Sequence, residues 1–354
     1  MKKGYIAFAA LCAAALASCT CPSAGEQRLR PSEYVSALVG TQSDFSLSTG
    51  NTYPAIALPW GMNFWTPQTG KMGDGWAYAY GAHQVRGFKQ THQPSPWIND
   101  YGQFSLMPVR GEDKFDEESR ASWFSHQSEV AKPYYYKTYL ADHDIRVEIT
   151  PTERAAMMRF TFPDSKESGV VIDAFDRGSQ VGMVDDRTIV GYTTRNSGGV
   201  PENFRNWFVV RFDTPFSAIE LTDAPDGYKP GSNLLYPEGQ KSVTGEHAVA
   251  KVHFATRRGQ QICASVASSF ISPEQALQNL RELGSDAFET VKSKAQARWD
   301  DVLGRIEVEG GTDDQYRTFY SCLYRSVLFP RKFYEVTDQG EVVHYSPYNG
   351  EVLP

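Results

Sequence analysis

Residues 262–284 read ICASVASSFISPEQALQNLRELG. The first part, Ile262–Phe270, has the composition of a buried strand. The second part starts a helix. Ser272 is placed as N-cap, Pro273 at the first helical position and Gln275 at the third. Ala276, Leu280 and Leu283 then follow at helical spacing, and Gly284 stops the run. The chain therefore changes period at residue 272.

Upstream of that switch, from Pro31 to about Ile271, the pattern is β. Ile145, Val147 and Ile149 alternate with Arg146 and Glu148. Met158, Phe160 and Phe162 follow after a turn at Pro151. Further strands are expected at Val170–Phe175, Trp207–Phe212 and Ala248–Phe254, separated by turns such as Asp176-Arg177-Gly178 and Pro225-Asp226-Gly227. Many short strands over this length predict a large antiparallel sandwich.

Downstream the pattern is helical. Phe288, Val291, Ala295, Trp299 and Val302 share one face of a second helix. A third begins near Asp313, carries a stripe of Tyr316, Phe319, Leu323 and Val327, and is ended by Pro330. Strands followed by helices predict two domains joined by a helical linker. One striped helix cannot bury its apolar face alone. The sequence therefore reads as a fragment that enters a helical domain without completing it.

The first residues have a different role. Lys2 and Lys3 precede a short apolar run, IAFAALCAAALA, which reads as a secretory signal and is too short to span a membrane stably. Leu16-Ala17-Ser18-Cys19 resembles a bacterial lipobox, with Cys19 as the lipidated residue. An ordinary signal peptide with an incidental cysteine is the alternative. A lipid anchor attaches a protein to a membrane without crossing it. The expected organisation is signal peptide 1–18, lipidated tether 19–30, β-sandwich 31–271, helical linker 272–311 and the start of a helical domain 312–354.

Of 354 residues, 13% are aromatic and the net charge is −7. No Lys/Arg run offers a nucleic-acid surface. Five cysteines with no Cys-x-x-Cys spacing make no disulfide framework, and no His-x-x-x-His pair offers a zinc site. The aromatic surplus fits either a large β core or clefts in which flat rings stack on sugars.

Three stretches could shape such a cleft. Gly50-Asn51-Thr52-Tyr53-Pro54 and Pro59-Trp60-Gly61-Met62 flank AIAL, a run short enough for one strand. The pair reads as a tight crossover or as the rim of a pocket. Trp76, Tyr78 and Tyr80 alternate, as core rings or with Trp76 offered to a cleft. In GFKQTHQPSPWINDYGQFSLMPV, residues 87–109, Pro94, Pro96 and Gly102 impose a shaped loop. His92 reads as a structural hydrogen-bonding group or a ligand contact, and Trp97 as core or ligand contact. Asp100 reads as a turn former. The adjacent pairs Asp185-Asp186, Asp300-Asp301 and Asp313-Asp314 cannot face one another across a sugar, so no acid/base pair for glycoside hydrolysis is found.

Together these residues resemble the N-terminal half of glycoside hydrolase family 92, the bacterial calcium-dependent exo-α-mannosidases. The resemblance rests on Val39-Gly40-Thr41, Tyr53-Pro54, Pro59-Trp60-Gly61-Met62 and Thr66-Pro67-Gln68-Thr69. It continues through Tyr78-x-Tyr80, Gly87-Phe88, Thr91-His92 and Asp100-Tyr101-Gly102 to Ser346-Pro347-Tyr348-Asn349-Gly350. It implies an N-terminal antiparallel β-supersandwich, helical linkers and an (α/α)6 toroid, here truncated after its start. It also implies inverting hydrolysis of terminal α-mannosyl residues on N-glycan-type glycans. Acid, base and Ca²⁺ ligands would lie beyond residue 354, and this chain alone would be inactive. Trp76, His92 and Trp97 are the substrate contacts expected here. Two departures from the family pattern, QSDFSLSTGN before Tyr53 and QPSPWIN after His92, mark the rim where specificity would change. The alternatives are a non-catalytic glycan-binding lipoprotein and a sandwich-plus-toroid enzyme, such as a phosphorylase or lyase, acting on another sugar.

Overall fold

The computed structural model describes residues 28–42, 52–72, 77–92, 101–196, 198–226, 228–229, 234–235 and 241–354. Two antiparallel sheets form its body. One has seven strands in the order Phe64–Gln68, Gly87–Thr91, Ser105–Arg110, Ser165–Asp173, Val249–Thr256, Ala218–Thr222 and Leu234–Leu235. The other has nine: Lys241–Gly245, Ser179–Met183, Thr188–Thr193, Asn206–Phe212, Gln260–Ser269, Ala155–Phe162, Ile145–Pro151, Tyr135–Leu140 and Val130–Lys132. The inward side chains of both sheets belong to one continuous apolar core, as expected of a sandwich.

The alternation in Ile145–Pro151 breaks at one point. Ile145, Val147 and Ile149 face the core and Arg146 is exposed, but Glu148 is buried. A helix covers that part of the outer face. Glu148 accepts from Tyr135 Oη at 2.6 Å and from Arg159 Nε at 2.8 Å, and Arg159 also reaches Glu289 on the covering helix. A polar residue placed outward by its period can still be buried when a later element packs over it.

Four helices are described: α1, Pro31–Tyr34; α2, Pro273–Leu280; α3, Phe288–Leu303; and α4, Asp313–Ser326. None of them is long and apolar enough to cross a membrane. Helix α2 starts as the sequence predicts, with Ser272 Oγ accepting from Gln275 N at 3.1 Å. The Gln275 side chain does not fold back on the cap. It donates to Val336 O at 2.8 Å and Asn279 Oδ1 at 3.0 Å, tying α2 to the end of the chain.

Helices α3 and α4 lock onto the residues before the first sheet. Trp299 Nε1 donates to Ala57 O at 2.7 Å, and Tyr324 Oη donates to Ala55 O at 2.6 Å. The AIAL run is therefore not a strand. Apart from one bridge between Ile56 and Trp65, Ala57 N donates to Pro133 O at 3.0 Å, and the Trp299 indole and Tyr324 hydroxyl satisfy two of its carbonyls, since buried backbone must find partners. The buried face of α4 is Tyr320, Ser321 and Tyr324, with the expected stripe Tyr316, Phe319, Leu323 and Val327 half-buried beside it. The helix ends at Ser326, before Pro330.

The segment read as entering a helical domain holds only that helix. It is followed by a three-stranded sheet, Glu335–Val336, Val342–Tyr345 and Val352–Leu353. This small sheet sits against α2 and one end of the sandwich, where it closes the pocket described next.

Candidate functional site

A second, smaller apolar cluster lies apart from the main core. Met62, Phe204 and Phe270 are buried in it, with Tyr101, Val200, Phe333 and Tyr345 packed around them. It walls a cavity of about 310 Å³ lined by Tyr101, Phe204, Phe270, Arg331, Phe333, His344, Tyr345 and Pro347. The rings come from four separate places in the chain. Phe270 and Phe333 are 5.3 Å apart at 32°, and Tyr101 meets Phe333 edge-on at 6.1 Å. The Arg331 guanidinium lies 4.4 Å over the Phe333 ring. Such a surface offers flat faces for C–H contacts, with the Arg331 guanidinium and the His344 ring nitrogens for hydroxyls or oxyanions.

The floor beneath is polar and buried. Gln90 Nε2 donates to Asn63 Oδ1 at 2.9 Å and lies 2.6 Å from His92 Nε2. An amide N–H can only donate, so His92 Nε2 accepts and the ring proton sits on Nδ1. Gln90 Oε1 accepts from Asn206 Nδ2 at 3.1 Å, and Asn63 Nδ2 donates to Ser268 Oγ at 2.9 Å. Asn279 continues the chain, donating to Ser268 O at 2.8 Å and Glu335 Oε2 at 2.7 Å. The network joins residues of both sheets, α2 and the small sheet. Buried polar groups need this degree of pairing to be tolerated.

Glu335 is the one carboxylate of this floor. Burial pushes it above its ordinary value, against the pull of hydrogen bonds from Ser269, Asn279 and Phe270 N and the charge of Arg154. Its Oε1 accepts from Phe270 N at 2.9 Å, so it fixes the backbone of a pocket ring. Burial likewise raises the Tyr345 phenol, which remains a donor to Asn203 Oδ1 at 3.1 Å.

The expected site residues fall into two groups. Trp76 and Trp97, with Asp100, lie outside the described residues, as does Cys19. His92 is described and is completely buried. Its ring sits 4.9 Å from Phe270 and 5.9 Å from Phe333, and its carbonyl accepts from Arg331 Nη1. His92 therefore stands one layer behind the lining instead of at the ligand face, because Phe270 and Phe333 close over it. Tyr101, at the other described end of the 87–109 stretch, reaches the pocket directly.

Gly102 fixes that end. Its φ is +59°, and a Cβ there would meet Asn206 Cβ at 2.4 Å. Its N–H donates to Arg195 O at 2.6 Å. On the opposite wall, Asn203 Nδ2 donates to Gly350 O at 2.8 Å. Asn203, Phe204, Phe270 and Phe333 were not singled out from the sequence. The only local signal of the three phenylalanines is the aromatic character of isolated positions, which a β core explains equally well, and Asn203 carries none.

Among the described residues no Asp or Glu lines the pocket, and they place no carboxylate pair there. Among the described residues no group of three or more His, Cys, Asp or Glu side chains could hold a metal ion. Ca²⁺ needs six to eight oxygen ligands, and the described residues do not fit it.

An antiparallel sandwich bound to helices, with a ring-lined pocket at one end, has the build of a carbohydrate-active protein. The chain belongs to glycosyl hydrolase family 92: residues 34–269 match the family's N-terminal domain and residues 275–354 its catalytic domain. It is similar to the solved structure of an inverting mannosidase of this family from Bacteroides thetaiotaomicron VPI-5482, at 45% identity and a TM-score of 0.84 over 92% of the chain. A family 92 α-mannosidase from Bacteroides thetaiotaomicron is 27% identical over 89% of the chain, with a TM-score of 0.77. An uncharacterized secreted glycosidase of Arthroderma benhamiae is 28% identical over 85% of the chain. The chain spans 43%, 44% and 42% of these three relatives, respectively.

Proposed function

We propose that this chain is the N-terminal part of an exported, inverting exo-α-mannosidase, and that its aromatic pocket holds part of a mannose-containing glycan. The observation that carries the reading is the 45% identity, over 92% of the chain, to a protein described as an inverting mannosidase. A relative solved in complex with mannoimidazole supports a mannose-like ligand. In this reading the sandwich supplies the rim and wall of the sugar site, and the hydrolytic groups come from the remainder of the catalytic domain. Trp76 and Trp97 act as rim contacts, and His92 as a support for the Phe270 and Phe333 wall. N-glycan-type mannans are the proposed substrates, and a lipid on Cys19 the proposed anchor at the periplasm or outer-membrane surface. The secreted relative supports export. The calcium requirement implied by the family is assigned to no residue of this chain.

The test is mannose release. The full-length parent should liberate mannose from α-mannosides with inverted anomeric configuration, and residues 1–354 alone should liberate none. Release of another sugar, or retention of configuration, would refute the assignment. Trp97→Ala in the parent should raise KM and leave the thermal midpoint nearly unchanged. Unchanged kinetics with a large stability loss would return Trp97 to the core.

A further inference from the structure

We propose that a groove beside the C-terminal end of α2 is a second binding site, for a sugar unit that carries a carboxylate. The groove has a volume of about 360 Å³ and shares no lining residue with the aromatic pocket. Arg211 and Ser265 are cross-strand partners on the nine-stranded sheet. Arg281 caps α2 from the other side, and Leu277, Leu280 and Leu283 supply an apolar wall.

The charge of this groove is uncompensated. Arg211 and Arg281 are both exposed, and neither guanidinium has an ion pair or hydrogen bond among the described residues. The buried and half-buried arginines behave differently: Arg120 pairs with Asp173, Arg154 with Glu282 and Arg159 with Glu148. Among the described residues no Asp or Glu lines the groove. The acid nearest in sequence to Arg281 is Glu282. It is committed elsewhere, to Arg154 Nη1 at 2.7 Å and Thr152 Oγ1 at 2.7 Å. Asp213, two residues from Arg211, accepts from Cys263 N at 3.1 Å and Thr214 Oγ1 at 3.1 Å.

Compensation of the helix dipole accounts for a cation at the end of α2. It does not account for a second one facing the same groove, where like charges repel. An oxyanion between them relieves that repulsion, and the planar guanidinium matches a carboxylate fork. The leucines suit the C–H face of a sugar ring, and Ser265 offers a hydroxyl that makes no bond among the described residues. A uronic or sialic acid combines these features. The groove would hold an acidic glycan branch away from the aromatic pocket. It does not depend on that pocket taking mannose.

Calorimetric titration of the chain with methyl glucuronide, methyl glucoside and inorganic phosphate tests this. Saturable binding of the glucuronide is expected, with the glucoside at least about tenfold weaker. Arg211→Ala and Arg281→Ala should each weaken glucuronide binding by about tenfold or more, with unchanged thermal midpoints because both side chains are exposed. No binding, equal binding of the glucoside, or full binding by the double variant would overturn the site. Phosphate binding as tightly as the glucuronide would overturn the acidic-sugar assignment. Failure of mannose release by the parent, with glucuronide binding intact, would count against the pocket reading alone.

Discussion

Asn203 Nδ2 donates to Gly350 O at 2.8 Å, across 147 residues of chain. The same side chain accepts from Tyr345 Oη, so one asparagine holds two points of the hairpin that closes the aromatic pocket. Gly350 is required for this contact. Its φ is +77°, and a Cβ would lie 2.3 Å from Asn203 Oδ1. Asn203→Ala should cost about 1–2 kcal/mol locally. The expected readout is faster amide hydrogen exchange over residues 345–351 and weaker glycan binding, with little change in the sandwich strands.

Gly102→Ala places a methyl group against Asn206 and asks an L-residue to hold a positive φ. Both effects act at the base of the 87–109 stretch, where Asn206 Nδ2 also donates to Gly102 O at 3.3 Å. The substitution should destabilise the chain by about 1–3 kcal/mol and displace Tyr101 from the pocket. Urea denaturation and mannoside affinity measure the two consequences separately.

Glu335 should make stability depend on pH. Its folded-state value is raised above the ordinary 4.5, so the folded chain binds more protons than the unfolded chain in that interval. Its contribution is fully present below 4.5 and is lost as pH rises through the raised value. Glu335→Gln should flatten this slope in urea midpoints measured across the acidic to neutral range. A slope unchanged by the substitution would assign the titration to another group.

Lys251 acts in the opposite direction. Its Nζ donates to Gly111 O and Glu112 O at 2.7 Å each, and burial pushes it down to about 8. Above that value the unfolded chain binds more protons, so stability should rise with pH from about 8 to the ordinary 10.5. Lys251→Met should remove this rise. It would also leave two carbonyls without their donor, at a cost of about 1–3 kcal/mol.

Trp299 docks α3 through ring burial and its bond to Ala57 O. It also packs 5.2 Å from Tyr324 of α4. Trp299→Ala should cost about 3–5 kcal/mol, and Trp299→Phe less, with only the hydrogen bond and part of the volume lost. Thermal unfolding of the two variants separates packing from hydrogen bonding.

The sequence reveals those parts of the fold that local periodicity controls. The strands at Ile145 and Met158 follow from alternation, and the start of α2 from its Ser272 cap. The buried face of α4 does not, because Tyr320 and Tyr324 are amphipathic and only the position of Ala55 decides that Tyr324 turns inward. The three-stranded sheet at the end of the chain was missed for a related reason. Its strands are two to four residues long, and α2 and the hairpin clamp hold them in place. Of the contacts expected from sequence, only His92 is described, and it lies behind the lining, while Tyr101 and Gly350 enter the sequence reading only as motif residues. Phe204, Phe270 and Phe333 meet only after both sheets have formed, so no window of sequence contains the pocket.

The hydrogen-bonded floor has a consequence for how the pocket can change. Asn63 and Gln90 belong to one sheet region, Asn206 and Ser268 to the other, and Asn279 and Glu335 to the elements laid over them. The floor is therefore common property of every layer, and none can withdraw its part while the others remain. Ligand preference can drift through rim residues one at a time, with the floor unaltered. The floor itself should be lost only in the same cooperative step as the sandwich, whereas the hairpin held by Asn203 can loosen while the sandwich stays folded.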